Sequence, residues 1–390
     1  MKKLRKNLIK PFITLVAILS VAINFNVFAS AEVYKEIIDT RIADTPTIKV
    51  SNKENDLNYT NIGGFSIGKN KNSMFVVKSR GIETDAVLYY YPDISNASKY
   101  ATFTIPDAGH ANSMAIDAHN IYISAWKLNE KNNYIIRIKR SKIAAMPFNK
   151  NRAKISNDNN NYKKLNTYYK TYNKSTGKYS YSLTGEISAI ANYNGNGTFI
   201  TRSSLPNDKS NSNYFIYSMA KIDNYNGKEA LIVERSESST FLVEDNFSSK
   251  DSIGQDIYYL PSNGGLYIPR WYKNDPSKNI IAWAHLNGSY SFKTINGFKL
   301  KCYTPDKINV NKTSEKAYGI KKYEKYEIES IAFTKNNDLL YSCNIEHTKK
   351  YENEYKKRNN KKKPSADGIF KLTQKNGKKF IWLFQMLMLQ

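Results

Sequence analysis

The chain has 390 residues, two cysteines and a formal net charge of +25. That length exceeds a peptide or disulfide knot and can bury roughly 75% of the surface its unfolded form exposes, so no disulfide framework is required. Mean hydropathy of −0.60 and an aromatic content of 13% exclude a helical membrane bundle and argue against a disordered chain.

Residues 1–31 read as a secretory signal peptide. Lys2, Lys3, Arg5, Lys6 and Lys10 form a basic start, Pro11 to Phe25 is mostly apolar, and Ala29-Ser30-Ala31 supplies the small residues of a cleavage site. The apolar stretch is shorter than the ~20 residues of a spanning helix. Cleavage after Ala31 would remove five positive charges and leave a secreted chain of +20. A protein so charged collects on polyanions, and outside a cell these are wall polymers, anionic headgroups and acidic glycans. Export makes nucleic acid an unexpected partner.

Residues 32–60 are polar and without a clear period, and read as a tether, either bare or carrying one strand. From about Gly63, short runs of Tyr, Ile, Val and Phe alternate with Asn, Gly, Ser and Asp clusters, the texture of an all-β domain over 61–384. Four segments share one pattern: Gly109 to Asp117, Gly185 to Asn192, Gly254 to Leu260 and Tyr326 to Phe333. Second strands follow at 121–124, 198–201, 266–269 and 339–342. Third strands follow at 134–138, 214–219, 280–284 and 368–372. Aligning Ala115, Ala191, Tyr259 and Ala332 gives spacings of 76, 68 and 73 residues. An earlier copy starts near Gly64. Five copies of a meandering antiparallel unit predict a five-bladed β-propeller. Ring closure is expected from a terminal strand, with Phe380 to Phe384 the candidate across the Asn376-Gly377 turn. Asn149 to Thr184, rich in Asn, Lys and Tyr, reads as a long insertion between the second and third repeats, either a solvated loop or a Lys/Tyr tract that docks on glycans or polyanions. Residues 385–390 form an apolar tail.

The innermost strand of each propeller blade lines the channel, and side chains two apart face the same way. The alignment therefore yields two rings. One holds His110, Glu186, Gly254 and Glu327; the other, two residues on, holds Asn112, Ser188, Asp256 and Glu329. These polar positions either satisfy backbone and water at the channel mouth or form a site. Converging carboxylates raise one another's pKa, which suits acid–base chemistry. Glu186 and Glu327, flanked by Asp256 and backed by Glu329, could cleave a glycosidic bond if the acids stand about 5–10 Å apart. His110 and Asn112 would orient the sugar. The same oxygens could hold Ca²⁺ or bind sugar hydroxyls without reaction. No zinc, nucleophile-elbow or phosphate-loop motif occurs, and the other histidines lack ligand spacing, so neither a further metal nor a cofactor is expected. Cys302 and Cys343 either pair or remain thiols. Trp126, Trp271 and Trp283 suit packing between blades or a sugar platform.

The run Gly109-His110-Ala111-Asn112-Ser113-Met114 resembles a motif of helveticin-type proteins, which are secreted, bacteriocin-like proteins of Gram-positive bacteria. The Glu327 to Phe333 run is similar to the last repeat of that group. The resemblance spans about residues 60–375. The chain departs from the group in its Lys/Asn/Tyr insertion, in Ser113 where Asp is frequent, and in its apolar end. The resemblance implies a propeller-like domain and a target on bacterial surfaces, and it supplies no catalytic residue. The sequence therefore predicts a basic, secreted propeller that binds anionic wall or surface glycan polymers, or alternatively a five-bladed glycoside hydrolase.

Overall fold

The computed structural model describes residues 37–44, 48–50, 57–59, 61–68, 73–79, 85–96, 99–126, 134–144, 153–155, 161–184, 187–205, 214–245, 252–254, 256–272, 278–310, 315–365 and 367–374. The signal segment, the tail and the 380–384 strand lie outside them. The chain is all-β, with a ten-residue helix, Lys349–Arg358, as its longest described helix. That helix carries the start of the Lys356 to Lys363 charge block, and Thr348 caps it by accepting from Tyr351 N.

Antiparallel hairpins build the sheets. Asn61–Gly68, Ser73–Ser79, Ala86–Tyr91 and Ala101–Ile105 pair in chain order. Met114–Ile116, Asn120–Ala125, Tyr134–Lys139 and Tyr162–Asn173 do the same, as do Ile190–Asn192, Thr198–Arg202, Tyr214–Tyr225 and Thr240–Glu244. These last two groups merge into one 12-stranded sheet because Lys228–Arg235 pairs antiparallel with Tyr214–Tyr225 and parallel with Tyr162–Asn173. A further sheet runs from Tyr258–Leu260 through Gly265–Tyr272 and Ile280–His285 to Asp306–Asn309. The last contains Tyr323–Phe333, Leu339–His347 and Gly368–Gln374.

The outer edge of Gly368–Gln374 is paired to Ile37–Asp44, from the start of the chain. The position expected for residues 380–384 is thus filled by a strand from within the segment read as a tether. Lys and Tyr residues of the 149–184 segment are likewise not a solvated loop where described: Tyr162–Asn173 is an integral strand and Lys178–Leu183 folds back on it as a hairpin. Burying Tyr162, Leu165 and Tyr169 under neighbouring sheets offsets the ordering cost of a polar strand.

Cores form between consecutive strand groups. Val76, Tyr89 and Phe65 pack with Ala332, Leu340 and Ile369. Leu88 and Phe103 pack with Ile121 and Ile136, Tyr122 and Leu165 with Phe199 and Leu231, and Ile200 and Tyr217 with Leu266 and Ala282. Tyr258 and Tyr267 meet the Phe333 ring at 5.4 and 4.7 Å. The first strands of the groups also touch in cyclic order: Asn61–Gly68, Met114–Ile116, Ile190–Asn192, Tyr258–Leu260, Tyr323–Phe333 and back to Asn61–Gly68. Glycine permits one of these approaches. A Cβ on Gly63 would lie 2.0 Å from the Ala111 carbonyl oxygen, and one on Gly64 2.5 Å from Met114 Cβ.

Candidate functional site: the centre of the strand ring

The five first strands converge on one carboxylate. Asp256, directly before Tyr258–Leu260, is 1% exposed. Its Oδ1 accepts from the Ser113 hydroxyl and from Ile257 N at 2.8 Å, and its Oδ2 accepts from the Ser330 hydroxyl. Ser113 Oγ also accepts from Ile190 N at 2.9 Å, and Ser330 Oγ from Phe65 N at 3.2 Å. Through two serines, Asp256 is tied to all five first strands. Burial pushes its carboxyl up to about 7, against the downward pull of the hydrogen bonds from Ser113, Ser330 and Ile257. Every Asp256 oxygen is committed to this network, so its immediate work is to join strands.

A second cluster lies toward the N-terminal ends of the same strands. Glu327 and Glu329 are each 6% exposed. They share one side of Tyr323–Phe333 and hydrogen-bond to each other. Asn344 Nδ2 donates to Glu329 Oε1 at 2.6 Å, and Asn344 Oδ1 accepts from Ile62 N at 2.8 Å. Burial first, then the Glu327 charge and hydrogen bond, hold the Glu329 carboxyl well above the usual carboxylate range. Glu327 pairs with Lys325 Nζ at 2.5 Å. Burial would lower the Lys325 ammonium, but the Glu327 hydrogen bond and the charges of Glu327, Glu329 and Glu346 raise it overall. The pair thus contains a carboxyl that favours its proton beside one matched to a cation.

Aromatic rings border this cluster. Lys325 Nζ lies 5.3 Å from the Trp271 ring centre. His110 meets Trp126 edge-on at 5.8 Å, and its Nδ1 stands 3.4 Å from Ser79 Oγ. Burial lowers the His110 pKa, partly countered by the Glu327 charge. His110 therefore belongs with Glu327, Glu329 and Lys325. Trp283 instead stacks on Tyr267 at 5.6 Å and 8°, within the sheet packing.

The sequence-derived rings are only partly assembled. Glu186 lies outside the described residues. Asn112 and Ser188 are half-buried next to the hub. Asp256 does not flank the glutamates as an open acid but is sealed between the strands. The direct Glu327–Glu329 hydrogen bond is also shorter than the 5–10 Å separation set out for a glycosidic acid pair, so any such pair needs one glutamate from another strand. Ser113 and Ser330 were missed by the ring assignment. Their signal was present: both sit two residues before the aligned Ala115 and Ala332. The Ca²⁺ expectation finds no support in side-chain grouping, since the described residues contain no cluster of three His, Cys, Asp or Glu able to hold a metal.

At the C-terminal ends of the first strands lies a separate cavity of about 460 Å³, lined by residues including Ile67, Asp117, Arg140, Asn192, Tyr193 and Tyr259. Asp117 is engaged there by His119 N, Asn120 N and the Tyr122 hydroxyl. The cavity has room for a small ligand but lacks a paired acid and base.

No protein-family model matches the chain, and no curated protein matches it. Among solved structures it is similar to an α-L-arabinofuranosidase from Lactobacillus brevis, at 11% identity and a TM-score of 0.42, covering 83% of this chain and 96% of that one. A thermostable family-43 glycoside hydrolase gives 11% identity and 0.35, covering 81% and 91%. A lignostilbene dioxygenase from Pseudomonas brassicacearum gives 7% identity and 0.30, covering 68% and 72%.

Proposed function

We propose that the five strand groups are the blades of a five-bladed β-propeller, closed by Ile37–Asp44, and that the channel end at Glu327 and Glu329 is a glycan-hydrolysing site. The cyclic contacts of the five first strands support the architecture. One observation carries the chemistry: a carboxyl that favours its proton, Glu329, is hydrogen-bonded to a cation-matched carboxylate, Glu327, beside Trp271, Trp126 and His110. Hydrolysis of an acetal link needs two separated carboxyl groups in opposite protonation states; Glu329 supplies Glu327 with a proton-bearing neighbour, the second reacting acid comes from another strand, and aromatic faces bind the sugar's apolar side.

Glu327 is the member of the pair matched to Lys325 and is the group that meets substrate. Glu329 and Lys325 are positioning residues that set its charge and its proton supply. Glu186, which the repeat places in register with Glu327, is the second reacting carboxylate of this reading. The experiment is release of reducing sugar from a broad panel of soluble glycans and purified bacterial walls by wild type, Glu327→Gln and Glu186→Gln. Wild-type release that falls at least ~100-fold in both variants supports the reading, since acid–base groups contribute about 10²–10⁴-fold. Absence of release by wild type overturns it.

The net charge favours a second reading, adhesion of a secreted chain to anionic wall polymer. Surface charges are screened beyond ~8 Å at physiological salt, so retention on walls should fall as salt rises and on walls stripped of teichoic acid. Salt-independent retention on stripped walls would exclude it.

A further inference from the structure

Helix Lys349–Arg358 and the turn after it carry eight lysines and arginines against two glutamates over 349–363. Both glutamates are matched within the helix. Glu352 lies 3.7 Å from Lys356, and Glu354 holds Arg358 at 2.8 Å and Lys357 at 3.7 Å. Lys349, Lys350, Lys361, Lys362 and Lys363 are exposed, and their ammonium groups have no partner among the described residues. The hairpin of Lys316–Ala317 and Ile320–Lys321 adds two more such lysines, Lys316 and Lys321. The Thr348 hydroxyl donates to the Lys321 carbonyl at 2.6 Å and ties this hairpin to the helix start. Two exposed acids of the adjoining strands, Glu324 and Glu346, flank Lys325 in sequence and in strand register. The seven unpaired ammonium groups outnumber them. Other exposed lysines without an ion pair, such as Lys139, Lys178, Lys228, Lys293 and Lys307, stand on five different strands.

The free chain gains nothing from lysine at these positions. Lys316 and Lys321 are direct cross-strand partners, where like charges repel. Lys349 and Lys350 open the helix at the end of its dipole that favours anions. Lys361 has a φ of 63°, a left-handed conformation that costs any residue with a Cβ, and it follows Asn360 at 50°. The turn is held by Lys361 N donating to Lys356 O at 2.8 Å and Lys362 N to Asn359 O at 2.9 Å. A polyanion laid along the helix and turn removes the repulsions and meets the lysines that the turn projects. Local cost kept in this way is a mark of a working surface.

Packing and side-chain type narrow the polyanion. Tyr351 is 5% exposed and meets Tyr318 at 6.1 Å and His347 at 5.0 Å. With about 3.6 residues per turn, Lys349, Lys350, Asn353 and Lys357 fall on the side away from Tyr351. A helix lying in a bilayer needs an apolar side free to enter it, and here that side is packed on the fold. Tyr318, the exposed ring of this surface, already meets Tyr351 and lies 4.4 Å from the Arg358 guanidinium, so nucleobases find no free stacking platform. Arg358 is also held by Glu354, which leaves no free planar fork for a carboxylate. Lysine ammonium groups act as point charges suited to phosphate, and their flexible stems tolerate variable spacing. We infer that the 349–363 surface, with its hairpin, docks a flexible polyol-phosphate polymer. It gives the adhesion reading, on which this proposal rests, a place on the chain.

The test is binding of the full chain to poly(glycerol phosphate), read by fluorescence anisotropy at low and physiological salt. A patch variant combines Lys349→Gln, Lys350→Gln, Lys361→Gln, Lys362→Gln and Lys363→Gln. A control variant carries the same change at Lys139, Lys178, Lys228, Lys293 and Lys307, an equal loss of charge. The patch variant should bind about tenfold more weakly than wild type or worse, with a shallower salt dependence, and the control less than about threefold more weakly. Should the patch variant fail to fold, acetylation of wild-type lysines with and without polymer, read by mass spectrometry, gives the same answer. The polymer should then protect the five patch lysines more than the five control lysines. Absence of wild-type binding overturns this proposal together with the adhesion reading. Binding that the patch variant keeps, or that both variants lose equally, overturns the proposal and leaves adhesion standing. Equal protection of the two sets does the same. Tighter binding to polygalacturonate, to single-stranded DNA of equal charge or to phosphatidylglycerol vesicles overturns the polyol-phosphate assignment.

Discussion

The Asp256 carboxylate accepts a hydrogen bond from the Ser330 hydroxyl, 74 residues further along the chain. Ser330 lies one position beyond Glu329, so the buried hub and the glutamate pair are built on adjacent residues of one strand. Disturbing either should be felt at the other.

The first consequence is a pH dependence of stability. The Asp256 carboxyl stands at about 7 in the folded chain because burial disfavours its charge, whereas an unfolded aspartate titrates near ~3.9. Between about pH 4 and 7 the unfolded chain has released a proton that the folded chain retains, so stability falls as pH rises through that window. At roughly 1.4 kcal/mol per unit, the loss is on the order of 4 kcal/mol. Glu329, also raised by burial, acts with the same sign. Chemical denaturation of Asp256→Asn at pH 4.5 and 7.5 should show a smaller difference between the two pH values than wild type shows.

The serines should matter more together than their size suggests. Ser330→Ala leaves Asp256 Oδ2 and the Phe65 N–H without a partner, and Ser113→Ala leaves the Ile190 N–H without one and Asp256 Oδ1 with the Ile257 N–H alone. Each change should cost about 1–3 kcal/mol. Because both serines act through one carboxylate, the double variant should depart from additivity by at least ~0.5 kcal/mol. Urea unfolding of the four forms of the cycle measures it.

Glu329→Gln replaces a carboxyl that favours its proton by a neutral group of like shape. Its unfolding midpoint at pH 5 should match wild type, with Asn344 still able to donate to the side-chain oxygen. Glu329→Ala should destabilise by about 1–3 kcal/mol by orphaning Asn344. If Glu327 and Glu186 hydrolyse glycan with Glu329 setting the proton supply, wild-type activity should fall as pH rises through the raised Glu329 pKa, and this limb should vanish in Glu329→Gln. A pH–rate profile of both proteins decides it.

Cys302 and Cys343 are buried free thiols, and burial pushes the Cys302 thiol up to about 11. Neither should react with a thiol reagent at pH 8 until the chain is unfolded, and reducing agent should leave the melting temperature unchanged. Mass spectrometry after alkylation, with and without denaturant, reads both thiols directly.

Local sequence carried the β-class of this chain, the repeat register and the strand positions, because alternation and turn residues act over a few neighbours. The strands expected at 121–124, 198–201, 266–269 and 339–342 all fall within strands of the structure. Local sequence also placed His110 and Glu327 at one repeat position and Glu329 two residues on, and the structure brings these three together. Tertiary structure alone decided that Asp256 would be sealed by Ser113 and Ser330 rather than open beside the glutamates. That outcome depends on which hydroxyls from strands 143 and 74 residues away reach the carboxylate. Strand pairing across the chain likewise set Ile37–Asp44 on the edge of Gly368–Gln374 and raised Tyr162–Asn173 from an apparent loop to a sheet member. A polar segment of weak pattern becomes a strand when a neighbouring edge offers it hydrogen bonds and an apolar surface to cover, and neither is visible within the segment itself.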